Sequence, residues 1–584
     1  MAETIISPGV FTRENDLSFV TPAPAEAGTA FIGPTVKGPV EIPTVVTSYG
    51  QYQRLFGSTF ESGSTKQEFL TSISVRNFFN QGGSTALVTR VVNGSFTRGT
   101  STHVSSSAKD SSQPFTIETL GEGILFNNST GVNDAGALNS DGSLVSGSAD
   151  NLRWEVSNIN NSKGTFTLSV RRGDDSTKEK VVLETFSNLS LDPNSPNYIA
   201  ARIGDQVQTI SVTGDDAYVQ LAGSYVNRSN YIRVASVDLQ TLNYLGNDGI
   251  AVNVDSAGVS YSGSLPIVGS GSFHSATGDI VSGNDVYYNG FGNPANTNTQ
   301  GIQDTDYSDV VTLLGNKDDY QFNVITAPGL HATQHNQVVN TIISLAESRG
   351  DCIAIIDTSD YGDTPSIVTG VADKLNSSYA ATYYPFLQVA TETGRNQFVP
   401  PSVVIPGVYA ANDNSSAPWF APAGLVRGGI PGVIQAERKL TKTQRDTLYD
   451  ANVNPIATFP GTGIAVFGQK TLQKKASALD RVNVRRLLIE LKKFFGDQAR
   501  NLVFEQNTIA TRNRFLAAVN PYLESVVQRQ GLFAFRVVMD DTNNTADVID
   551  RNQLVGQVFI QPAKTAEFIV LDFTIEPTGA SFAV

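Results

Sequence analysis

The apolar residues of this chain change their spacing twice, and each change marks a boundary between two kinds of structure. Over residues 26–95, short apolar runs alternate with stretches of helical period. Thr29-Ala30-Phe31-Ile32-Gly33 predicts a strand closing on a turn. Ser48 is placed to cap a short helix that Gly57 ends. Thr65 and Glu68 have the spacing of a capping box, ahead of a helix with Phe69, Ile73 and Phe78 near one face. Gly82-Gly83 stops that helix, and residues 86–92 (ALVTRVV) predict a strand. This is the opening of an α/β domain.

From about residue 96 to 305 the helical period disappears. Of residues 101–150, 29 are Gly, Ser, Thr, Asn or Asp, too polar for continuous buried elements. Short strands are predicted at 152–159, 165–171 and 181–186, with Arg172-Gly173-Asp174-Asp175 as the turn between the last two. The stretch predicts a β-rich insertion of one or two lobes, expected to be a solvated surface decoration, with receptor or glycan binding as the other reading. Residues 320–390 then return to alternation. Strands are predicted at Phe322–Thr326 and Cys352–Asp357, and helices around Val338–Ala346, ended by Gly350, and Ile367–Leu375. A β-α-β-α order implies a parallel sheet with right-handed crossovers. The core domain is thus expected in two segments, 25–95 and 306–420, with 96–305 inserted between them. A C-terminal domain is expected at 421–576.

The two ends carry a different signal. Thr4-Ile5-Ile6 and Val10-Phe11-Thr12 are strand-formers flanking the turn Pro8-Gly9, ahead of any predicted core. So short a strand has no nearby partner in its own chain, and such strands add to the sheet edge of another molecule. A frayed terminus is the plain alternative. The expected arms are residues 1–24 and 577–584.

Composition narrows the class. With 584 residues, 40% of them hydrophobic and 16% charged, the chain has material for several packed cores. A single cysteine, Cys352, excludes an internal disulfide framework. The start, MAETIISPGV, has neither the basic nor the apolar region of a signal peptide, and no run reaches the roughly 18 apolar residues of a membrane span. Charge is uneven. Residues 421–584 hold 20 Lys and Arg against 15 Asp and Glu, whereas residues 1–420 hold 21 against 40. An acidic body with a basic C-terminal part implies surfaces facing different environments. No nucleic-acid module accompanies the basic part, so an acidic protein is the expected partner.

Candidate chemistry is sparse. His331 and His335 have the i, i+4 spacing of a metal-binding helix, but Ala332 stands where a zincin glutamate would be and no third ligand is indicated. Two surface histidines in a first helical turn are expected. Gly461-Thr462-Gly463 lacks the further glycine of a dinucleotide loop, and no phosphate-binding loop occurs. No cofactor, metal or internal energy source is expected.

Several segments resemble, in order, the tail sheath proteins of contractile bacteriophages. They are SPGVFTRE at the start, AFIGPTVKGPVEIPTVVTS, FFNQGGSTALVTRVV, LETFSNLSLDPNSPNYIAARIGD, FAPAG, NVNPIATFPGTGIAVFGQKTL, RVNVRRLLIELKK, LVFEQNT, DDTNN and the closing FTIEPTGASF. The resemblance implies a mixed α/β and β multidomain protein. Its parts would be a non-catalytic, subtilisin-like α/β core domain, the β-rich insertion, an α+β C-terminal domain and extended strand arms. It implies copies in six-fold rings stacked helically around a tail tube, contracting to drive the tube through the host envelope. The implied partners are further copies of the chain, the tail tube protein, and baseplate and tail terminator proteins, with no nucleic acid and no membrane insertion. The implied location is the virion tail, assembled in the host bacterial cytoplasm. A bacteriocin-like contractile injection particle and a surface-binding protein acting through the insertion are the alternatives.

By the same resemblance, Ile5, Ile6, Val10, Phe11 and Phe582 belong to inter-subunit arms. Val555, Val558, Ile560, Phe568, Val570 and Phe573 belong to strands of the acceptor sheet, at 555–561 and 566–575. Residues 470–500 hold nine basic residues, and Val484, Leu487, Leu488 and Leu491 make the apolar stripe of a helix among them. Lys474, Lys475, Arg485, Arg486, Lys492 and Lys493 are the tube-contact candidates, with a solvated helix face as the alternative. A subtilisin-like fold raises the question of proteolysis. Ile355-Ile356-Asp357-Thr358 resembles the aspartate strand of subtilisins and Thr102-His103-Val104 their histidine motif. Yet all four histidines (His103, His274, His331, His335) precede Asp357, against the order Asp, His, Ser, and no Gly-x-Ser-x-Gly elbow exists. No enzymatic activity is expected.

Overall fold

The structure is a computed structural model that describes residues 27–567 apart from 63–64, 107–112, 215, 253–260, 281–297 and 462. Its centre is an eight-stranded sheet built from β1 (Ala27–Gly33), β2 (Thr44–Val46), β3 (Ala86–Arg90), β4 (Phe322–His331), β5 (Ile353–Asp357), β6 (Ala380–Tyr384), β7 (Asn454–Phe459) and β8 (Gly463–Val466). The strand order is β2-β3-β1-β4-β5-β6-β7-β8. The strands from β3 to β7 in that order run parallel, and antiparallel β2 and β8 close the edges. Continuous apolar runs such as Ile353-Ala354-Ile355-Ile356 are suited to this position, because helices cover both faces of a parallel sheet. Ala354 and Ile356 enter one core with Val339 and Ile342 of the helix α3 (Asn336–Arg349). Ile353 and Ile355 enter a second core with Leu70, Ile73 and Val408.

Local signals hold at several boundaries. Ser48 caps α1 (Tyr49–Phe56), accepting from Gln51 N at 3.2 Å. Gly350 ends α3 at φ 69°, in the left-handed region that favours glycine. The capping box at Thr65 and Glu68 does not form. Thr65–Glu68 is a strand paired with Thr59–Ser62, and α2 (Leu70–Asn80) starts without a local side-chain cap. Gln300, far away in sequence, accepts instead from Leu70 N at 2.8 Å. Glu68 accepts from Ser72 Oγ at 3.2 Å and pairs with Arg76 at 3.3 Å. A tertiary acceptor has taken the role that the spacing gave to Thr65.

The core also continues beyond residue 420, the boundary expected from sequence. β7 and β8 complete its sheet, and α4 (Val482–Arg500) packs Val482 and Ile489 against it. The same helix puts Leu487 and Leu491 into the C-terminal core with Trp419, Phe515, Val519 and Leu523. One helix therefore serves both domains. Residues Phe515 to Leu523 come from α5 (Ile509–Gln528), capped by Thr508.

The insertion leaves after β3 and returns before β4. Two four-stranded sheets share one core, in which Val104, Phe115, Ile117, Val234 and Phe273 meet Trp154, Val156, Phe166 and Leu168. The expectation of one or two lobes resolves to one packed β unit around a common core. A further hairpin pairs Val207–Thr213 with Asp216–Ala222.

Candidate functional site

The C-terminal domain ends in a two-stranded antiparallel sheet, β9 (Leu532–Val538) and β10 (Gln557–Pro562). Leu532 is buried in the C-terminal core, while Phe533 is 69% exposed, Phe559 56% and Val558 36%. Among the described residues no third strand joins either strand, so both outer edges present backbone donors and acceptors. An apolar surface beside open edges is a template for strand addition. Of the acceptor residues expected from sequence, Val558 and Ile560 lie in β10. Val555 does not, because Asn544 occupies its backbone: Val555 N donates to Asn544 Oδ1 at 2.9 Å, and Asn544 Nδ2 donates to Val555 O at 2.8 Å. With both groups taken, Val555 cannot join the ladder. Ile5, Ile6, Val10, Phe11, Phe568, Val570, Phe573 and Phe582 lie outside the described residues. The partner strand β9 was not anticipated, although Leu532–Val538 reads as a β-branched and aromatic run.

The basic cluster separates into two groups. Lys474, Lys475 and Lys492 are exposed. Lys474 donates to Asp373 O and Lys492 to Tyr379 OH at 2.9 Å. Arg485 and Arg486 are 4% and 5% exposed, which corrects their assignment to a contact face. Arg485 stacks over Tyr379 at 3.9 Å and donates from Nη2 to Ser378 Oγ at 2.5 Å. Its burial lowers its pKa. Arg486 pairs with Asp413 and lies 4.6 Å over Tyr409. Both guanidiniums tie α4 to the core, a use to which a planar, stacking cation is suited. Lys493 is half-buried and donates to Phe322 O at 3.3 Å. The spacing of basic residues did not distinguish solvent from packing.

Between the hairpin and the core lies a cleft of about 920 Å³ walled by Trp419, Phe420, Phe467 and Phe533. Arg427 and Glu567 also line it. The Glu567 carboxylate accepts from Arg481 Nε at 2.7 Å and Nη2 at 2.9 Å, from Gln469 Nε2 at 2.9 Å and from Tyr449 OH at 2.9 Å. Glu567 is therefore held by side chains, and Ala566 and Glu567 lie in no strand; the rest of the strand expected at 566–575 lies outside the described residues.

The residues weighed for catalysis do not assemble into a relay. His103 belongs to the insertion, where its backbone N donates to Val132 O at 2.6 Å. Asp357 is buried and accepts from Ser402 Oγ at 2.5 Å and Ser402 N at 3.1 Å. In the serine–histidine–aspartate relay a histidine nitrogen stands at the serine hydroxyl. Ser402 instead donates its hydroxyl and backbone N–H hydrogen bonds to the Asp357 carboxylate, an arrangement that anchors a chain segment. Burial pushes the Asp357 carboxyl up to about 7 against the bonds from Ser402. His331 and His335 are 9% and 2% exposed, which corrects their reading as surface residues. They order the turn after β4: His331 N donates to His335 Nδ1 at 2.9 Å, and Thr333 N to His331 Nδ1 at 3.2 Å. Among the described residues no group of three or more His, Cys, Asp or Glu could hold a metal, and no helix is long and apolar enough to cross a membrane.

An α/β core interrupted by a β unit and followed by a helical domain with a two-stranded hairpin defines a mixed α/β multidomain protein. Residues 285–472 match the phage tail sheath protein central domain, and residues 474–576 match the phage tail sheath C-terminal domain. Through residues 285–576 the chain belongs to the phage tail sheath family. It is 40% identical over 240 residues to a tail sheath protein of Vibrio phage KVP40, covering 40% of this chain and 35% of that one. It is 34% identical over 259 residues to the tail sheath protein of Enterobacteria phage T4, covering 41% and 39%. The match therefore spans less than half the length of these curated relatives. Among solved structures, the sheath tail protein of Listeria innocua aligns with a TM-score of 0.51 at 10% identity, over 92% of this chain and 96% of that one, a likeness of fold. The anti-feeding prophage sheath in its contracted state aligns over 98% of this chain and 99% of that one, with a TM-score of 0.46 and 16% identity.

Proposed function

We propose that the chain is the structural, non-enzymatic subunit of a contractile tail sheath. Copies polymerise as stacked six-fold rings around a tail tube and contract to drive the tube through the host envelope. The observation that carries this reading is the β9–β10 hairpin: among the described residues a two-stranded sheet with no strand on either outer edge and Phe533 and Phe559 exposed beside them. In the assembly, residues 1–24 of one neighbour and 577–584 of another complete that sheet. Backbone hydrogen bonds of this kind persist while the linkers behind them change angle, so subunits stay joined as the lattice rearranges. The core domain, parallel at its centre and covered by helices on both faces, is the subtilisin-like body of the subunit. Its Asp357 and Ser402 serve architecture. Lys474, Lys475 and Lys492 face the tube, where exposed charge pairs orient partners without strong adhesion. Baseplate and terminator proteins bound the polymer, and the virion tail, assembled in the host cytoplasm, is its location. The same assembly serves a bacteriocin-like injection particle equally well, and genome neighbourhood separates the two. Electron microscopy of the purified protein tests the reading. Tubular polymers of uniform width are expected, and a protein that stays monomeric at every concentration and salt would overturn it.

A further inference from the structure

Glu567 is the last described residue, and three donors from separate parts of the core converge on its carboxylate. Tyr449 lies on the helix Lys442–Asp450, Gln469 follows β8, and Arg481 immediately precedes α4. Gln469 Nε2 also donates to Thr565 Oγ1 at 2.6 Å, so the grip extends over the two residues before Glu567. Arg481 is itself held, by Asp480 at 3.0 Å. Burial works to raise the Glu567 carboxyl, but the bonds from Arg481, Gln469 and Tyr449 outweigh it and hold the group below the ordinary carboxylate range. The clasp is therefore charged at neutral pH. Only residues 563–566 separate it from Pro562, where β10 ends.

We propose that this clasp is a mechanical anchor, which passes tension on the chain beyond residue 567 into the core domain and keeps it off the β9–β10 hairpin. The proposal rests on the reading of the C-terminal stretch as a strand arm joined to a neighbouring copy. Without an anchor, a pull on that arm would reach Pro562 and open its pairing with Leu532 first, then each following pair in turn. A ladder loaded from one end resists with one pair at a time. The clasp loads a bidentate, charge-assisted pair and two further hydrogen bonds together. It also ends the pull on Tyr449, Gln469 and Arg481, which are backed by the core sheet and α4. The acceptor hairpin, which must keep the strands of its neighbours, is thereby spared. Glu567 is in this sense a positioning residue: it sets the point from which the arm leaves.

The test uses the full-length chain as Glu567→Gln and as the exchanged pair Arg481→Glu/Glu567→Arg. Melting of the monomer, tube assembly, and tube length before and after triggered contraction are measured by electron microscopy. Glu567→Gln is expected to melt like the wild type and to form resting tubes, but to lose continuity on contraction and leave short fragments. The exchanged pair is expected to restore unbroken contracted tubes. Glu567→Gln tubes that contract unbroken overturn the proposal. Should Glu567→Gln fail to assemble, hydrogen exchange of its monomer decides. Protection lost only at 563–567 supports an anchor already needed during assembly, and protection lost across β9 and β10 makes the clasp part of the hairpin fold and overturns it. Failure of the wild type to form tubes would instead sink the sheath reading.

Discussion

Asn93 donates from Nδ2 to Asp306 Oδ2 at 2.9 Å, joining residues 213 positions apart at the root of the insertion. Beside them Thr97 N donates to Thr277 O at 3.0 Å. The chain thus leaves the core and returns to it at one place, next to β1, which pairs with β3 on one side and β4 on the other. Insertions are tolerated where entry and exit lie close together.

Replacing residues 98–276 with a short Gly/Ser linker is therefore expected to leave a folded protein that still forms tubes, only thinner ones. Outer tube diameter by electron microscopy checks this. A folded variant that no longer polymerises would show that the insertion carries lattice contacts. Lys37 is buried and loses its partner Asp150, now 3.0 Å away, so the shortened protein is expected to melt below the wild type while still folding.

Removal of residues 1–24 separates folding from assembly. Both faces of the core sheet are covered by described elements, so the truncated chain is expected to melt within a degree or two of the wild type, the scale of roughly a few tenths of a kcal/mol. Tubes are expected to be absent. A truncated protein that polymerises as the full chain does would refute strand donation.

The two kinds of basic residue respond differently. Reversing Lys474, Lys475 and Lys492 is expected to leave monomer stability and self-polymerisation intact while impairing assembly on a tube. High salt mimics the effect, since exposed charges are screened over about 8 Å at physiological ionic strength. Arg486→Ala is expected to cost about 2 kcal/mol of stability, because it strands Asp413 and uncovers Tyr409. Denaturant midpoints compare the two sets, and equal effects would refute the division.

Asp357 gives a pH signature. Its folded value of about 7 lies above the ordinary carboxylate value of about 3.9, so the folded state binds the extra proton between those limits. Stability contributed by this group is full below about pH 4 and is lost as pH rises to about 7. Asp357→Asn removes the titration. The stability of the wild type relative to this variant is expected to fall across that window and stay flat above it, as read from urea unfolding at a series of pH values. A difference independent of pH would show that Asp357 titrates as an ordinary carboxylate.

Much of the core was legible in the residues because its signals are local. The left-handed turn at Gly350, the cap at Ser48 and the run Ile353-Ala354-Ile355-Ile356 act within a few residues, and the structure keeps all three. The insertion and its principal strands followed from composition and alternation. What the sequence alone could not decide was which partner each polar group would find. Gln300 replaced Thr65 at the start of α2, Asn544 withdrew Val555 from the ladder, and Tyr379 and Tyr409 drew Arg485 and Arg486 out of a solvent-facing cluster. Each of these outcomes joins residues from separate parts of the chain, from 11 to 230 positions apart, and a buried donor or charge left unpaired costs more than any local preference supplies. Periodicity along the chain determined the elements, and the satisfaction of polar groups across it decided the surfaces they were left to present.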